Sequence, residues 1–139
     1  ATGSGYRVSI VSSSAAVTHE ALANADCRTL PIARQCLSTP ELLTLQQALP
    51  DWEIQTTDNG SGSSAQLSRR FAFADLASAM RFANAVASMA DAQDHHPDMH
   101  LSWGLCVVAW STHSAHGLTQ RDFICAAKVD GLMHASQRA

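Results

Sequence analysis

The chain has 139 residues, with 9 Lys and Arg against 12 Asp and Glu, so its formal net charge is −3 at pH 7. This length fits a single domain, since domains most often contain about 100–150 residues. The slightly acidic balance argues against a nucleic-acid-binding face, which is normally strongly basic. No apolar stretch approaches the ~20 residues that a membrane span requires.

Two features of the composition bear on how the protein assembles and on the compartment in which it lies. Charged residues make up only 15% of the chain, against about 25% in ordinary domains. Such a surface fits partial burial in an oligomer, although the many Ala and Ser residues explain it equally well. The four cysteines at positions 27, 36, 106 and 125 show no C-x-x-C spacing, which argues against a zinc knuckle or a redox pair. Cys106 and Cys125 lie in apolar runs and are predicted to be reduced core residues, which suits an intracellular, most simply cytoplasmic, protein.

Residues 1–38 show no sustained periodicity, and only Tyr6–Val11 resembles a strand. We interpret them as an N-terminal extension of unclear role, followed by one domain over residues 39–139. A secretory signal would need a longer apolar centre. The remaining interpretations are a poorly ordered tail, part of an organelle-targeting segment and a lineage-specific extension.

The residues after this extension predict a short helix and then a pair of strands. Thr39 is a suitable N-cap for a short helix with Pro in its first turn, and Pro50 closes the apolar stripe of that helix. Alternating residues over 52–56 and 67–73 predict two strands. The polar, Gly-rich residues 58–64 between them predict a turn, and therefore a β-hairpin.

The clearest helical pattern comes next. Asp75 is placed to cap a helix that runs to Ala92, with apolar residues at three- and four-residue steps. Pro97 ends this pattern, because proline disfavours helical backbone at the residue before it. The small alanines of this helix would let a neighbouring element approach closely.

The rest of the chain predicts a second hairpin and a last helix. Residues 103–110 are apolar at nearly every position, so a strand here should be covered on both faces; Gly104 interrupts the run. Thr119 and Asp122 form a capping-box pattern at the start of the final helix. The order from residue 39 is α-β-β-α-β-β-α, which predicts an α+β fold with a four-stranded antiparallel sheet and three helices on one face. One face of the second hairpin would then lack cover in a single chain, and a homo-oligomer could supply it.

Histidine is the residue type that stands out chemically. Seven are present, most of them between His95 and His116, and imidazole exchanges protons near neutral pH without special tuning. His95 and His96 precede a proline that stiffens the turn, and Thr112-His113 follows the second hairpin. A nearby carboxylate could fix the tautomer and orientation of such a ring. Candidates for that role are Asp91, Asp94, Asp98 and Asp122.

Metal binding is the rival interpretation of these histidines. His96 and His100 are four residues apart, and His113 and His116 are three apart, spacings that suit zinc when both residues lie on one helix. Pro97 excludes a helix for the first pair, and the second pair falls in a predicted loop. We therefore predict no metal site.

A larger pattern combines Asp91-x-x-Asp94-His95-His96-Pro97, Trp103, and Ser111-Thr112-His113-x-x-x-Gly117-Leu118-Thr119-x-x-Asp122. With these motifs at these separations, the chain resembles the pterin-4a-carbinolamine dehydratase family. The resemblance covers about residues 39 to 135, including the order of the elements. It implies the dehydration of 4a-hydroxytetrahydropterin (4a-hydroxytetrahydrobiopterin) to quinonoid dihydropterin without metal or cofactor. This reaction recycles the tetrahydropterin cofactor of aromatic amino-acid hydroxylases.

The resemblance also implies site residues. His95 and His113 correspond to acid/base residues, with the division between acid and base left open, and His96 to one that holds the substrate. Asp122 could support a histidine or could only cap its helix, and Asp91 could contact the pterin or could only be a solvated carboxylate. The implied pterin contacts are Asp91, Pro97, Trp103, Thr112, Ser114 and Ala115, with Asp94 and Asp122 as supporting carboxylates.

Two expectations about partners follow from the same resemblance. The family implies a homotetramer, with no nucleic acid bound directly and no membrane association. Some members also act as dimerisation cofactors of a homeodomain transcription factor, so the alternative function is a non-enzymatic dimerisation or coactivator protein. The Ala- and Met-rich helix over 75–92 would supply the apolar face for such a partner.

Overall fold

The computed structural model describes residues 17–31, 35–58 and 63–138; the strand-like run 6–11 lies outside them. Two 3-10 turns, at Cys27–Thr29 and His113–Ala115, accompany the regular elements. Within the described residues, the helices and strands in chain order are α1 (His19–Asn24), α2 (Thr39–Gln47), β1 (Glu53–Asp58), β2 (Ser63–Ala72), α3 (Leu76–Gln93), β3 (Asp98–Ser102), β4 (Leu105–Trp110) and α4 (Gln120–Arg138).

The four strands form one antiparallel sheet in the order β1-β2-β4-β3. Gly104, predicted to interrupt the apolar run, takes a φ of +70° in the turn that joins β3 to β4. The strands extend further than predicted, because Asp58 and Ser63 pair with each other; residues 59–62 lie outside the described part. The predicted α+β class and the order from residue 39 are confirmed.

The hydrophobic core lies on one face of this sheet. Residues of β4 alternate between buried and partly exposed positions, so only one face of the strand is covered within the chain. The expected cover on both faces is therefore absent in a single copy. Helices contribute Leu45, Phe82, Val86, Phe123 and Cys125 to the core, and the sheet contributes Leu67, Phe71, Cys106, Val108 and Trp110.

Helix α2 begins one residue earlier than its pattern predicts. Ser38, not Thr39, is the N-cap: its Oγ accepts the Glu41 backbone N–H at 3.4 Å, and Glu41 Oε1 accepts the Ser38 N–H at 3.0 Å. This reciprocal capping box satisfies two donors that the helix end would leave unpaired. The glutamate at the third helical position therefore decides where the helix starts.

Helix α3 begins and ends nearly where its pattern predicts. The Asp75 side chain accepts the Ser78 N–H at 2.7 Å, and hydrogen bonds with Ser78 lower the pKa of Asp75. At the other end Asp94 takes a left-handed conformation, with φ 53°. The His95 N–H then returns to the Ala90 carbonyl at 3.2 Å. The chain therefore turns sharply off α3 directly before His95.

Part of the N-terminal extension belongs to the core, and the expectation of a poorly ordered tail is wrong for residues 17–31. Leu22 and Cys27 are fully buried. Lys128 Nζ of α4 donates to the Ala23 carbonyl at 2.7 Å, and His19 Nε2 lies 2.9 Å from Asp130 Oδ2. A six-residue helix is too short to show a periodic pattern, so only its tertiary contacts stabilise and reveal it.

Truncating Leu22 tests whether this segment contributes to folding. We expect Leu22→Ala to lower the free energy of unfolding by about 2–5 kcal/mol, because the side chain is fully buried and leaves a cavity. Leu43 of α2 is 55% exposed, so the control Leu43→Ala should change stability by no more than about 0.5 kcal/mol. Urea denaturation measures both, and equal effects would contradict the packing described here.

All four cysteines are free, and Cys106 and Cys125 are buried, as predicted for core residues. Burial raises the pKa of the Cys106 thiol, while a contact with Cys27 together with burial raises that of Cys125. In the part of the chain that the structure describes, no helix combines the length and hydropathy that crossing a membrane needs.

Candidate active site

A histidine–aspartate pair joins the end of α3 to the first turn of α4. His95 Nε2 lies 2.7 Å from Asp122 Oδ1, and the His95 side chain is 11% exposed while Asp122 is fully buried. An ionised carboxylate can only accept hydrogen bonds, so Nε2 carries the proton in this pair. Among the described residues no group bonds Nδ1 of His95. Nδ1 is therefore the ring nitrogen of His95 that can contact another molecule.

The second oxygen of Asp122 organises the loop before α4. Oδ2 accepts the Thr112 hydroxyl at 2.8 Å and the Thr119 backbone N–H at 2.9 Å. The Thr112 and Thr119 hydroxyl oxygens lie 2.8 Å apart. Asp122 thus does both things that the sequence left open, since it caps α4 and holds a histidine. Donors converge on it from the turn after α3, the loop after β4 and the helix end.

Trp110 at the end of β4 packs against the face of His95. The two ring centroids are 5.5 Å apart and the ring planes differ by 15°. Asp122 therefore fixes one ring nitrogen, and Trp110 fixes the plane of the ring. The sequence predicted only that Trp110 is buried, which is confirmed. Its position two residues before Thr112 was the available signal, because side chains at i and i+2 of a strand share a face.

His113 is the next residue in the chain after Thr112, which is a hydrogen-bond partner of Asp122. Thr112 bonds Asp122, and the Cα atoms of Thr112 and His113 are ~3.8 Å apart, as in any trans peptide. His113 is exposed at the start of the 3-10 turn. The Thr112 N–H donates to the Gly117 carbonyl at 3.0 Å, and Gly117 N–H donates back at 3.4 Å, which closes the loop. The two histidine-bearing segments therefore meet on one carboxylate.

His96 and Asp91 form a separate, exposed pair. His96 Nε2 lies 2.9 Å from Asp91 Oδ1, with side chains 59% and 79% exposed. Pro97 follows directly and is half-buried. Asp94, a predicted supporting carboxylate, is exposed and serves as the C-cap of α3. His96 is thus oriented by an acidic partner but remains open to solvent on the same turn as His95.

The remaining predicted contacts divide into two groups. Ala115 is buried and Ser114 exposed, both in the 3-10 turn after His113. Trp103 lies in the turn before β4, at the opposite end of that strand from Thr112, and is 77% exposed. A single copy therefore does not bring Trp103 to the other site residues.

A metal site was the rival interpretation of these histidines. Across residues 17–31, 35–58 and 63–138, no group of three or more His, Cys, Asp or Glu side chains is arranged to hold a metal ion. His95 and His96 each have a carboxylate partner, an arrangement that suits proton transfer.

Comparison with known proteins adds an independent line of argument. The family model described as "Pterin 4 alpha carbinolamine dehydratase" matches residues 35–132. A protein of Chlorobium limicola is 43% identical over 96 residues, which is 69% of this chain and 81% of that protein. A protein of Paracidovorax citrulli is 37% identical over 105 residues, 76% and 87% of the two chains. Both carry the provisional name pterin-4-alpha-carbinolamine dehydratase.

A solved structure agrees with these sequence matches. The crystal structure of a transcriptional coactivator/pterin dehydratase from Brucella melitensis superposes with a TM-score of 0.60 at 28% identity. It covers 70% of this chain and 98% of that one. The matched region contains the whole sheet, α3 and the turns that carry His95 and His113. The chain therefore belongs to the pterin-4-alpha-carbinolamine dehydratase family.

Proposed function

We propose that this protein dehydrates 4a-hydroxytetrahydropterin to quinonoid dihydropterin by histidine acid/base catalysis. The observation that carries the proposal is the sharing of the Asp122 carboxylate by His95 and by Thr112, the residue before His113. Family membership names the substrate class. The reaction would be one step in recycling the tetrahydropterin used by aromatic amino-acid hydroxylases, and a separate two-electron reduction of the quinonoid product would complete the cycle.

The chemistry needs one proton delivered and one removed. Hydroxide leaves C4a poorly, so an acid must protonate it as the C–O bond breaks, while a base removes the proton from the neighbouring ring nitrogen. Water and the quinonoid product then account for every atom. Well-placed proton transfer contributes about 10²- to 10⁴-fold for each group.

The arrangement supports a division of these tasks. His95 keeps its proton on Nε2, facing Asp122 at 2.7 Å, so Nδ1 offers a lone pair and the carboxylate stabilises the cation formed when it accepts a proton. His95 is therefore the proposed base. Exposed His113, which can carry a proton to the leaving hydroxyl, is the proposed acid. His96, oriented by Asp91, is the proposed substrate-holding residue.

The test is the rate of decay of freshly generated carbinolamine with wild type and single variants. We expect His95→Ala and His113→Ala each to lower kcat by about 10²- to 10⁴-fold, and His96→Ala to act mainly by raising KM. His100 is exposed on β3, outside this site, so His100→Ala is the matched control and should keep wild-type rates. A wild-type rate equal to that of buffer alone would overturn the proposal.

A second candidate is an interaction function on the same fold, supported by the coactivator name of the Brucella structure. Leu76 and Met80 of α3 are 47% and 42% exposed, one turn apart on the helix. We propose that this face packs in a homo-oligomer, a tetramer by family resemblance, in an intracellular protein with reduced thiols. His113→Ala separates the two functions, because it should abolish dehydration and leave association unchanged.

A further inference from the structure

We propose that residues 26–31, here called the brace, position the His95–Asp122 pair, an inference that rests on the proposed dehydratase function. The brace precedes the region that the family model matches. It contacts both elements that carry the pair, namely the end of α3 and the first turns of α4. No residue of the brace bonds either partner of the pair, so its action is indirect.

One contact of the brace is with the last residue of α3. The Cys27 backbone N–H donates to Gln93 Oε1 at 2.8 Å, in a partly buried setting. Gln93 lies two residues before His95, directly ahead of the left-handed Asp94. Left-handed backbone costs most L-residues about 1–2 kcal/mol, and aspartate is one of the few residue types that adopt it as single residues; helix ends also fray. A tertiary anchor at Gln93 therefore counteracts local tendencies that would move His95.

The other contacts of the brace are with the residues that flank Asp122. Arg121 Nη2 donates to the Leu30 and Pro31 carbonyls at 2.7 and 2.9 Å. The Cys27 sulfur lies 3.7 Å from the Arg121 carbonyl oxygen and 3.7 Å from the Cys125 sulfur, among buried atoms. Cys27 therefore contacts both elements: its backbone N–H bonds the end of α3, and its sulfur contacts α4.

The brace therefore restrains the distance between the end of α3, next to His95, and the first turn of α4, which carries Asp122. The direct link between His95 and Asp122 is a single 2.7 Å hydrogen bond, while catalysis needs groups held within about 0.5 Å of the productive geometry. A misplacement of ~1 Å can cost about 100-fold in rate. The brace adds to the direct packing of α3 on α4 a further connection between the same two elements, so it restrains the geometry that the proton transfer uses.

The decisive variant is Gln93→Met, which removes the acceptor but keeps length and helix propensity. We expect kcat to fall about 10- to 100-fold with KM little changed, and the His95 ring N–H proton resonance to broaden or shift. That resonance is identified by its loss in His95→Gln and is recorded without substrate. Gln93→Glu restores an acceptor for the Cys27 N–H and should restore both the rate and the resonance.

Gln46→Met is the matched control. Gln46 Nε2 donates to the Trp52 carbonyl at 3.3 Å, a comparable side-chain bond outside the brace, and its loss should leave kcat and the resonance unchanged. Wild-type kcat and resonance in folded Gln93→Met would overturn the positioning role, as would failure of Gln93→Glu to rescue. If wild type lacks dehydratase activity while the resonance responds as expected, the proposed function fails and the positioning role stands.

Discussion

Replacing Asp122 with asparagine is expected to lower kcat for carbinolamine dehydration by about 10²- to 10⁴-fold while leaving the fold intact. The reason is that the substitution changes which ring nitrogen of His95 carries the proton. In the wild type, Asp122 Oδ2 accepts hydrogen bonds from the Thr119 backbone N–H and the Thr112 hydroxyl. The Thr119 N–H can only donate, so the amide oxygen of the asparagine must take the position of Oδ2. The amide NH₂ then faces His95 Nε2 and forces that nitrogen to accept. The ring proton moves to Nδ1, which can no longer serve as the base.

Two measurements check this expectation. Nitrogen-15 NMR of the histidine rings should show the proton on Nδ1 of His95 in Asp122→Asn and on Nε2 in the wild type. Asp98, an exposed carboxylate of β3, provides the control, because Asp98→Asn should alter neither the tautomer nor kcat. A folded Asp122→Asn variant with kcat within twofold of wild type would show that His95 does not act through this carboxylate.

The second large effect concerns stability. Asp130→Ala is expected to lower the free energy of unfolding by about 3–5 kcal/mol, because it removes the buried partner of the Arg69 guanidinium and leaves the buried Trp52 indole N–H without its acceptor. Asp130 Oδ1 accepts from Arg69 Nη1 at 2.6 Å and from Trp52 Nε1 at 3.0 Å, and Oδ2 lies 2.9 Å from His19 Nε2. One carboxylate of α4 therefore holds together α1, β2 and the start of the first hairpin.

Asp51 offers the matched control for this effect. It also faces Arg69, at 3.7 Å, but its side chain is 69% exposed, so Asp51→Ala should cost no more than about 1 kcal/mol. Guanidinium denaturation of both variants decides the matter. Similar losses in the two would mean that burial of Asp130 adds nothing and that its contacts are not cooperative.

The regular elements of the domain were predictable because each depends on nearby residues. Asp75 caps α3 from three residues away, and the hairpins follow from alternation and turn residues. Errors came where a feature depended on a specific side-chain bond, as at Ser38 and Glu41, or on distant contacts. Leu22 is such a case, since a short helix becomes stable only when α4 covers it.

Some features of the candidate site could likewise be predicted from the sequence, and others could not. Its histidines were predictable as residue types at motif spacing, as was Asp122, which bears a capping pattern. The stacking of Trp110 on His95 was not, because it joins the end of α3 to the end of β4 across the fold. The brace was missed for the same reason, since Cys27 and Gln93 are 66 residues apart in the chain.

The element order, the α+β class, the family resemblance and the residue types of the site could be predicted from the amino-acid sequence, because they depend on local spacing and residue type. Three properties became visible only in the folded chain: which ring nitrogen of His95 faces Asp122, the bond of Thr112 to the same carboxylate, and the packing of residues 17–31 in the core. Those properties depend on distances of a few ångströms between segments far apart in the chain, which packing sets and local pattern does not encode.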